Sequence, residues 1–332
     1  MLRKKVSLLM LLLVSCAQGP DIWVPREVDF TPPRLVSCER DTSQSVVLSF
    51  DKPVDQLVVE PPKGEVSFTT TDQRVFLLSL SVQPEPGAEW VLRVHAADPL
   101  GNSSVFLVAI YGTNPRLPRV RLNELNIQGS TTKPDYIELL VQSDGNLAGL
   151  VVAMGAPAQG EAFYTFPSVE VKTGDYLILH TKPQGIAQEK DETKHKRESG
   201  GLLSSPTAWD FWWRGGKGLS GTTGMVVLLD NPRGKALDAV IYTNRTSTSD
   251  DRYGGWGSKA MKDKAYWLHT LKIWEASGEE TLVPEDAVHS GYVTSTRTLN
   301  RKNTGLGKNA WFTGATGTAS PGSVNTTQVH VP

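Results

Sequence analysis

The sequence predicts an all-β protein of two β-sandwiches in tandem, the second enlarged by long loop insertions and one helix. Between Arg34 and Asn114, short β-rich runs separated by turn residues follow one another at nearly even spacing, which is typical of a small sandwich. Further along, Ile137, Leu139 and Val141 alternate with residues that point the other way, as in a strand with one face on a core. Both observations favour sheets packed on a core.

The second region opens with a predicted hairpin, Val120–Val141. Its first strand, VRLNELNI, changes phase between Leu122 and Leu125, which predicts a β-bulge near Asn123–Glu124. The connecting segment GSTTKPD has the composition of a turn, and its Lys-Pro-Asp fixes the chain direction.

The N-terminus has the order of an export signal. Basic residues at positions 3–5 precede the apolar run Leu8–Val14, and Ser15 and Cys16 follow. A run of this length is too short to span a bilayer as a helix but is typical of the apolar core of a signal peptide. We therefore expect an exported protein.

The last four residues of this segment, Leu-Val-Ser-Cys, resemble a bacterial lipobox. The resemblance implies a signal peptide over residues 1–15 and a mature N-terminus at Cys16, which carries diacylglycerol and an N-acyl chain such as palmitate. That covalent anchor is stable, because each buried methylene contributes ~0.8 kcal/mol. The alternatives are an ordinary signal peptide with an incidental cysteine, or an uncleaved anchor. We predict a lipid-anchored protein of the bacterial cell envelope, and the sequence leaves the membrane and its leaflet open.

The charge of the chain limits its possible partners. The chain has 34 basic and 35 acidic residues, and removal of Arg3, Lys4 and Lys5 leaves 31 against 35, a net charge of −4. Nucleic-acid binding would need a basic surplus, so we expect no nucleic-acid partner.

With Cys16 lipidated, Cys38 is the only other cysteine, so no intramolecular disulfide is expected and the cores must supply the stability.

A tether over residues 16–31, kept extended by glycine and proline, leads into the first predicted sandwich at 32–114. Its segments VVLSFDKPVD and WVLRVHAADPLGNS resemble bacterial immunoglobulin-like modules. Asp51, Asp55, Asp98 and Asn102 could suggest a calcium site, but turn capping is favoured because no D-x-[DN]-x-[DN]-G loop is present. The predicted strands are Ser45–Phe50, Gln56–Glu60, Glu65–Thr70, Val75–Leu80, Glu89–Ala96 and Ser104–Tyr111.

After the short linker Pro115–Pro118, residues 119–326 resemble a lamin-tail domain, an immunoglobulin-like β-sandwich. The resemblance starts with N-E-L at Asn123–Leu125 and D-Y-I-E-L at Asp135–Leu139. It continues with gaps through NLAGLVVAM, FYTFPSVEVKTGDYLILH, GMVVLLDNPRGKALDAVIY, TLNRK, Trp311 and TASPGSVN. Leu150 stands where the family usually has an aromatic residue. The resemblance implies a fold and, in bacteria, an exported module, but no reaction. We expect the two sandwiches to fold independently.

Two segments replace connections that are usually short in this family, at about 181–219 and 243–297. The first half of the earlier insertion is charged and predicted to be mobile, whereas its second half, TAWDFWWRGGKG, is aromatic. Within the later insertion, Ser258–Ala276 has helical spacing of apolar residues, with Ser258 as N-cap and Ser277-Gly278 as the stop.

The aromatic residues of these insertions are the candidate partner-binding residues. They are Trp209, Phe211, Trp212, Trp213, Trp256, Trp267 and Trp274. One interpretation is an added core that ties the insertions to the sandwich. The sharper one is an exposed contact site, in which the loop packs on the helix and at least one of Trp212 and Trp213 stays accessible.

Motifs of catalysis and metal binding are absent from the sequence, which has no HExxH, CxxC, GxSxG or Walker A pattern. Gly216–Gly221 spells G-x-G-x-x-G but runs into a strand, so we interpret it as a flexible loop. The histidines lack metal-ligand spacing. Glu124, Asp135 and Glu138 could form a carboxylate cluster with a metal or general-acid role, but we favour fold residues that bond backbone amides. No catalytic residue, metal or cofactor is predicted.

The leading hypothesis is therefore a non-enzymatic, lipid-anchored envelope protein that engages a protein partner through the insertions of its lamin-tail domain. One alternative is an envelope enzyme or enzyme accessory that processes glycans or peptides. The other is a carbohydrate-binding lipoprotein that uses exposed tryptophans.

Overall fold

The computed structural model describes residues 29–40, 45–157, 160–302 and 305–332. The predicted signal peptide, Cys16 and most of the tether lie outside these residues. Within the described part, none of the helices combines the length and the apolar character that a bilayer crossing requires.

The first sandwich packs a four-stranded sheet, in the order β1-β2-β5-β4, against a three-stranded sheet, β3-β6-β7. All neighbouring strands are antiparallel. Inward side chains such as Val46, Leu78, Leu92 and Val94 are fully buried between the sheets. The strands are β1 (Leu35–Arg40), β2 (Ser45–Phe50), β3 (Gln56–Glu60), β4 (Val66–Thr70), β5 (Val75–Leu80), β6 (Glu89–Ala97) and β7 (Ser103–Tyr111).

One turn of this sandwich is capped by an acidic residue for which the sequence predicted that role. Asp98 Oδ1 accepts hydrogen bonds from the amides of Leu100 at 3.0 Å and Asn102 at 2.9 Å. Asp51 instead accepts from the amide of Arg34, which lies just before the neighbouring strand β1, at 2.8 Å. The capping interpretation is confirmed for Asp98, whereas β1 was not predicted.

The second sandwich contains a six-stranded sheet, β15-β14-β9-β8-β19-β20, a five-stranded sheet, β12-β11-β16-β17-β18, and the short pair β10-β13. The strands are β8 (Val120–Asn126), β9 (Tyr136–Val141), β10 (Gly145–Asn146), β11 (Val151–Ala153), β12 (Phe163–Thr165), β13 (Glu170–Val171), β14 (Tyr176–His180), β15 (Trp209–Trp212), β16 (Thr223–Leu229), β17 (Ala236–Thr243), β18 (Val288–His289), β19 (Leu299–Arg301) and β20 (Trp311–Thr313).

The opening hairpin β8–β9 lies in the middle of the six-stranded sheet. Its register shifts between Leu122 and Glu124, which confirms the predicted bulge. Beyond the bulge, Leu125 and Ile137 pair and both are fully buried. The all-β fold class is confirmed, with one α-helix among the described residues.

That helix, α1 (Lys259–Thr270), begins where the sequence predicted and ends earlier. The Ser258 side chain caps it by accepting a hydrogen bond from the amide of Met261 at 3.2 Å. The predicted extension to Ala276 is wrong, because Lys272 adopts a left-handed conformation with φ 56° and turns the chain. The turn directs Trp274 inward, where its indole N–H donates to the carbonyl of Asp286 at 3.0 Å.

The two sandwiches meet through a close backbone contact. Gly87 and Gly149 both have positive φ, and a Cβ added to Gly87 would lie 2.4 Å from the Cα of Gly149. Beside them, the side-chain amide of Asn114 donates to the carbonyls of Asn146 at 2.7 Å and Ala148 at 2.9 Å. Residues on both sides of the predicted linker therefore take part in one interface.

Candidate functional site

The candidate aromatic residues of the insertions are buried. The exposed fraction is 2% for Trp212 and 7% for Trp213, so the prediction that one of them is accessible is wrong. Trp209, Phe211, Trp256 and Trp274 are buried as well, and Trp267 is half-buried against the core. Most of these residues belong to the core of the second sandwich itself, so the insertions present little aromatic surface to a partner.

Alternation along β15 explains this burial. Trp209, Phe211 and Trp213 point into the core between the sheets, and Phe211 contacts Phe166 with ring centroids 4.9 Å apart. Trp212 points the other way but is covered, because its ring stacks on His180 at 3.8 Å and its N–H donates to Ser199 Oγ at 2.6 Å. Both faces of this strand are therefore enclosed by protein.

The predicted packing of the aromatic loop on the helix is also wrong. The aromatic segment forms β15, which pairs in parallel with β14 at the edge of the six-stranded sheet. Helix α1 instead contacts β16 of the five-stranded sheet, and Lys264 extends from it to the carbonyl of Met154 at 3.0 Å. The two insertions thus attach to different sheets.

Two buried acids lie in the charged half of the first insertion, which the sequence predicted to be mobile. Glu189 and Glu192 are buried. The carboxylate of Glu192 accepts the amides of Ser199 at 3.1 Å and Asp210 at 2.9 Å, and burial raises its pKa. Asp191 accepts the amide of Trp212 at 2.7 Å. Glu192 and Asp191 therefore fasten the segment to β15, because each one accepts a main-chain amide of that strand.

A buried imidazole–carboxylate pair lies beneath this segment. His180 Nε2 is 2.8 Å from Asp210 Oδ1, and Asp210 Oδ2 accepts the amide of Ser205 at 2.7 Å. Both His180 and Asp210 have an exposed fraction of zero. Because neither group reaches solvent, the pair supports the connection between β14 and β15 and is closed to a substrate.

The predicted meeting of Glu124 and Glu138 is confirmed, since they are directly opposite each other on β8 and β9. Both are fully buried. Glu124 accepts hydrogen bonds from the hydroxyls of Tyr136 and Thr298, each at 2.7 Å, and from Ser320 Oγ at 2.8 Å. We call Glu124 and Glu138 the carboxylate pair.

The carboxylate pair holds residues 318–325, which we call the closing segment. Glu124 accepts the amide of Ser320 at 3.2 Å, and Glu138 Oε2 accepts the amide of Gly322 at 2.6 Å. These contacts confirm the interpretation of the two glutamates as residues that bond backbone amides. Burial, followed by the neighbouring charge of Glu124, raises the pKa of Glu138 to about 8.

Asp135, the third predicted carboxylate, binds backbone amides of two loops. Its two oxygens accept the amides of Gly129 at 2.6 Å and Leu219 at 2.8 Å, so it joins the hairpin turn to the G-x-G-x-x-G loop. The described residues contain no cluster of three or more His, Cys, Asp or Glu side chains that could hold a metal ion.

An accessible cavity lies where the two sheets of the second sandwich end side by side. It has a volume of about 520 Å³, is open to solvent, and is flanked by the edge strands β18 and β20. The second insertion supplies Arg245, His289 and Tyr292 to its wall, whereas Lys308 and His330 come from the C-terminal part. We call this cavity the open groove.

The ring of Tyr292 is central to the wall of the open groove. His289 contacts it edge-on at 4.8 Å between centroids, and His330 lies on another side at 5.3 Å. Arg297 donates to His330 Nε2 at 2.9 Å. The C-terminal residues reach this position because the amide of His330 donates to the carbonyl of Thr313 in β20 at 2.9 Å.

Sequence reasoning missed the open groove because its residues are scattered between positions 243 and 330 and share no motif spacing. His289 and His330 were considered only as scattered histidines. The sequence did indicate one feature of the groove, the second insertion itself. Its chain leaves the sheet after β17 and returns as β18, which pairs with β17.

Fold and site together define a β-sandwich protein whose second sandwich buries the aromatic residues of its insertions and has a solvent-open groove at its edge. The family model TP_1001_2nd, described as "protein second domain", matches residues 118–326. This match covers more than half of the 332 residues, so the chain belongs to that family.

Two individual proteins are similar to this chain. An uncharacterized protein of Treponema pallidum (strain Nichols) is 26% identical over 169 residues, which are 51% of this chain and 43% of that protein. The match thus spans less than half the length of that relative. The crystal structure of a DUF4785 family protein from Legionella pneumophila subsp. pneumophila str. Philadelphia 1 is 13% identical, covers 59% of this chain and 50% of that one, and has a TM-score of 0.21.

Proposed function

We propose that this chain is a non-enzymatic, lipid-anchored protein of the bacterial cell envelope, which holds a protein partner through its second sandwich, a lamin-tail domain. The observation that carries the proposal is the open groove, an accessible cavity of about 520 Å³ to which the second insertion contributes one wall.

A binding role is further supported by the use of the buried acids. Glu124, Glu138, Glu192 and Asp210 each accept main-chain amides, so these groups stabilise loops. In an enzyme of general acid–base type, a carboxylate must reach the substrate within hydrogen-bonding distance. The buried acids named here are enclosed by protein.

Cross-linking in the envelope tests the partner. A photoreactive amino acid at Asn309, an exposed residue of the groove wall, should give an adduct of defined mass with one envelope protein. The same residue at Lys259, exposed on α1, is the control and should give none. If both positions give the same products, or neither gives any, the groove does not hold a protein partner.

The anchor is tested separately at Cys16, which lies outside the described residues. Mass spectrometry of the envelope form should show diacylglycerol and an N-acyl chain on Cys16 as the first residue. An unmodified N-terminus at another residue would contradict the anchor.

A further inference from the structure

We propose that residues 22–27 of this chain pair with the free edge of β7 as an added antiparallel strand. The segment itself lies outside the described residues, whereas the edge and the apolar face that it would cover lie within them. Neither the open groove nor its partner takes part in this pairing.

Apolar side chains lie exposed on the outer face of the sheet β3-β6-β7. The exposed fraction is 75% for Leu107, 53% for Val105, 51% for Val58 and 45% for Val91. Val58 and Val105 lie on either side of His95 in the register, and Leu107 comes two residues after Val105 on β7. Contiguous apolar surface of this kind marks a contact site.

The strand β7 also has a free edge beside this face. Among the residues that the structure describes, β6 is its only strand partner. The amide of Asp98 donates to the carbonyl of Asn102 at 3.0 Å, so the even-numbered residues of β7 are the ones that bond to β6. The odd-numbered Val105 and Leu107 therefore direct their N–H and C=O groups to the free edge, which is a template for another strand.

The described chain begins at the start of this edge. The side-chain amide of Asn102 donates to the carbonyl of Asp29 at 2.8 Å, and Lys52 holds the same segment by donating to the carbonyl of Thr31 at 2.6 Å. Residues that precede Asp29 therefore start beside the first residues of β7. Because a strand rises about 3.4 Å per residue, five residues that run back along β7 reach Leu107.

Proline at position 25 fits this pairing. With Asp29 beside Asn102, antiparallel continuation places Val24 opposite Leu107, so Val24 would bond to the free edge. Main-chain groups alternate in direction along a strand, and the nitrogen of Pro25 would therefore point to solvent. Edge strands accept proline at such positions because no ladder hydrogen bond is lost.

The apolar residues of the segment match the surface that the edge leaves exposed. Val24 and Ile22 would lie on the side of Leu107, because cross-strand neighbours share a face. Trp23 would lie on the opposite side, with the half-buried Phe106. A covalently attached segment also has a high effective concentration at this edge, which favours it over a separate protein.

The pairing would set the distance between the lipid anchor and the first sandwich, a consequence that rests on the proposed function. Asp29 is 13 residues beyond Cys16, and a chain of this length can span at most roughly 45 Å. With the added strand in place, the free chain ends at Ile22, six residues beyond Cys16, and its reach falls to about 20 Å. The first sandwich would then stay close to the membrane surface.

Hydrogen exchange in the purified full-length protein tests the pairing at single residues. The amide of Leu107 should exchange about tenfold more slowly in the wild type than in Val24→Pro, which lacks the main-chain donor opposite Leu107. Glu27→Pro is the matched control, because position 27 alternates in step with Pro25 and its N–H also points to solvent. Both positions precede the first sandwich, so neither change alters its core. Unprotected exchange of Leu107 in the wild type, or equal protection in Val24→Pro, would overturn the proposal.

Proteolysis tests the same contact from the side of the sheet. Arg26 is the only Lys or Arg between residues 17 and 33, so trypsin cleavage there reports on the segment. Leu107→Asp should raise the cleavage rate after Arg26 about tenfold, because a carboxylate is costly to cover with apolar side chains. Leu77→Asp changes a side chain that is 38% exposed on the other sheet and should leave the rate unchanged. Equal rates in the two variants would contradict the pairing.

Two further outcomes identify other occupants or separate the pairing from the anchor. Protection of Leu107 that increases with protein concentration and persists in Val24→Pro would assign the edge to a second copy of the chain and overturn the proposal. If Leu107 is protected but Cys16 carries no lipid, the anchor of the proposed function fails and the added strand stands. If Cys16 is lipidated but Leu107 is unprotected, the added strand fails and the anchor stands.

Discussion

The charged half of the first insertion and the second insertion are held to the second sandwich by different contacts. The charged half of the first is attached by carboxylates, since Glu192 and Asp191 accept main-chain amides of β15 and its neighbours. The second is attached by aromatic side chains, with Trp256 and Trp274 buried and their indole N–H groups bonded to carbonyls. The closing segment resembles the first insertion in this respect, because the carboxylate pair holds it.

This difference shows that charge content along a sequence does not determine whether a segment is solvated. A carboxylate that accepts hydrogen bonds from several backbone amides can be buried, since each hydrogen bond to a charged acceptor offsets part of the desolvation cost. The two kinds of attachment should respond differently to mutation and to pH.

The largest effect is expected from Trp274→Ala in the second insertion. Trp274 is 5% exposed, so its removal should leave a cavity and an unpaired carbonyl of Asp286, lowering the free energy of unfolding by about 3–5 kcal/mol. Urea denaturation measures the change. Tyr266→Ala on α1, where the ring is 59% exposed, should have little effect. Equal losses for the two variants would show that burial of Trp274 does not hold the insertion.

A pH dependence is expected from Glu138 of the carboxylate pair. Its pKa rises from 4.5 to about 8 in the folded protein, so the folded state binds a proton that the unfolded state has lost between these values. The free energy of unfolding should therefore fall as the pH rises through this range, by at most about 1.4 kcal/mol per pH unit. Thermal denaturation between pH 5 and pH 9 measures the slope.

Glu138→Gln is the matched variant for this dependence. Glutamine keeps the shape of the protonated carboxyl but does not titrate, so the slope between pH 5 and pH 8 should become smaller. An unchanged slope would show that another group causes the dependence.

A smaller loss is expected from Glu192→Ala in the first insertion. The change leaves the amides of Ser199 and Asp210 without an acceptor and should lower the free energy of unfolding by about 2 kcal/mol. Glu280→Ala changes an exposed glutamate of the second insertion and should have almost no effect. If Glu192→Ala is equally harmless, carboxylates do not fasten the first insertion.

The smallest effect is expected at the start of α1. Ser258→Ala removes the side-chain acceptor for the amide of Met261 and should cost about 1 kcal/mol. Ser258→Asp retains an acceptor and should restore most of the loss in the same denaturation experiment. A loss in Ser258→Ala as large as that in Trp274→Ala would mean that the cap, and not the aromatic burial, holds the second insertion.

Strand positions could be predicted from the sequence where a strand has one face on a core. The observed bounds of β2, β3 and β5 equal the predicted ones, because each is a short run of β-branched and other apolar residues next to turn residues. The bulge at Leu122–Glu124 could also be predicted, since it shifts the alternation of apolar residues along β8 by one residue.

The exposure of the tryptophans could not be predicted in the same way. Alternation in W-D-F-W places Trp209 and Phe211 on one face, but the cover over Trp212 comes from His180 and Ser199, which are distant in the sequence. The open groove depends on the same kind of contact, because His289 and His330 meet around Tyr292 only in the folded chain. Local sequence patterns contain no information about contacts between residues that are distant in the sequence.

The contact between Gly87 and Gly149 has a consequence for how such a protein can evolve. A Cβ added to Gly149 would lie 2.7 Å from the amide nitrogen of Gly87, so a side chain at either position separates the backbones of two different sandwiches. The two positions therefore share one constraint across the linker. Recombination could join this second sandwich to another N-terminal module. The close contact at Gly149 would then be kept only if the loop of the new module also had a glycine at the position of Gly87.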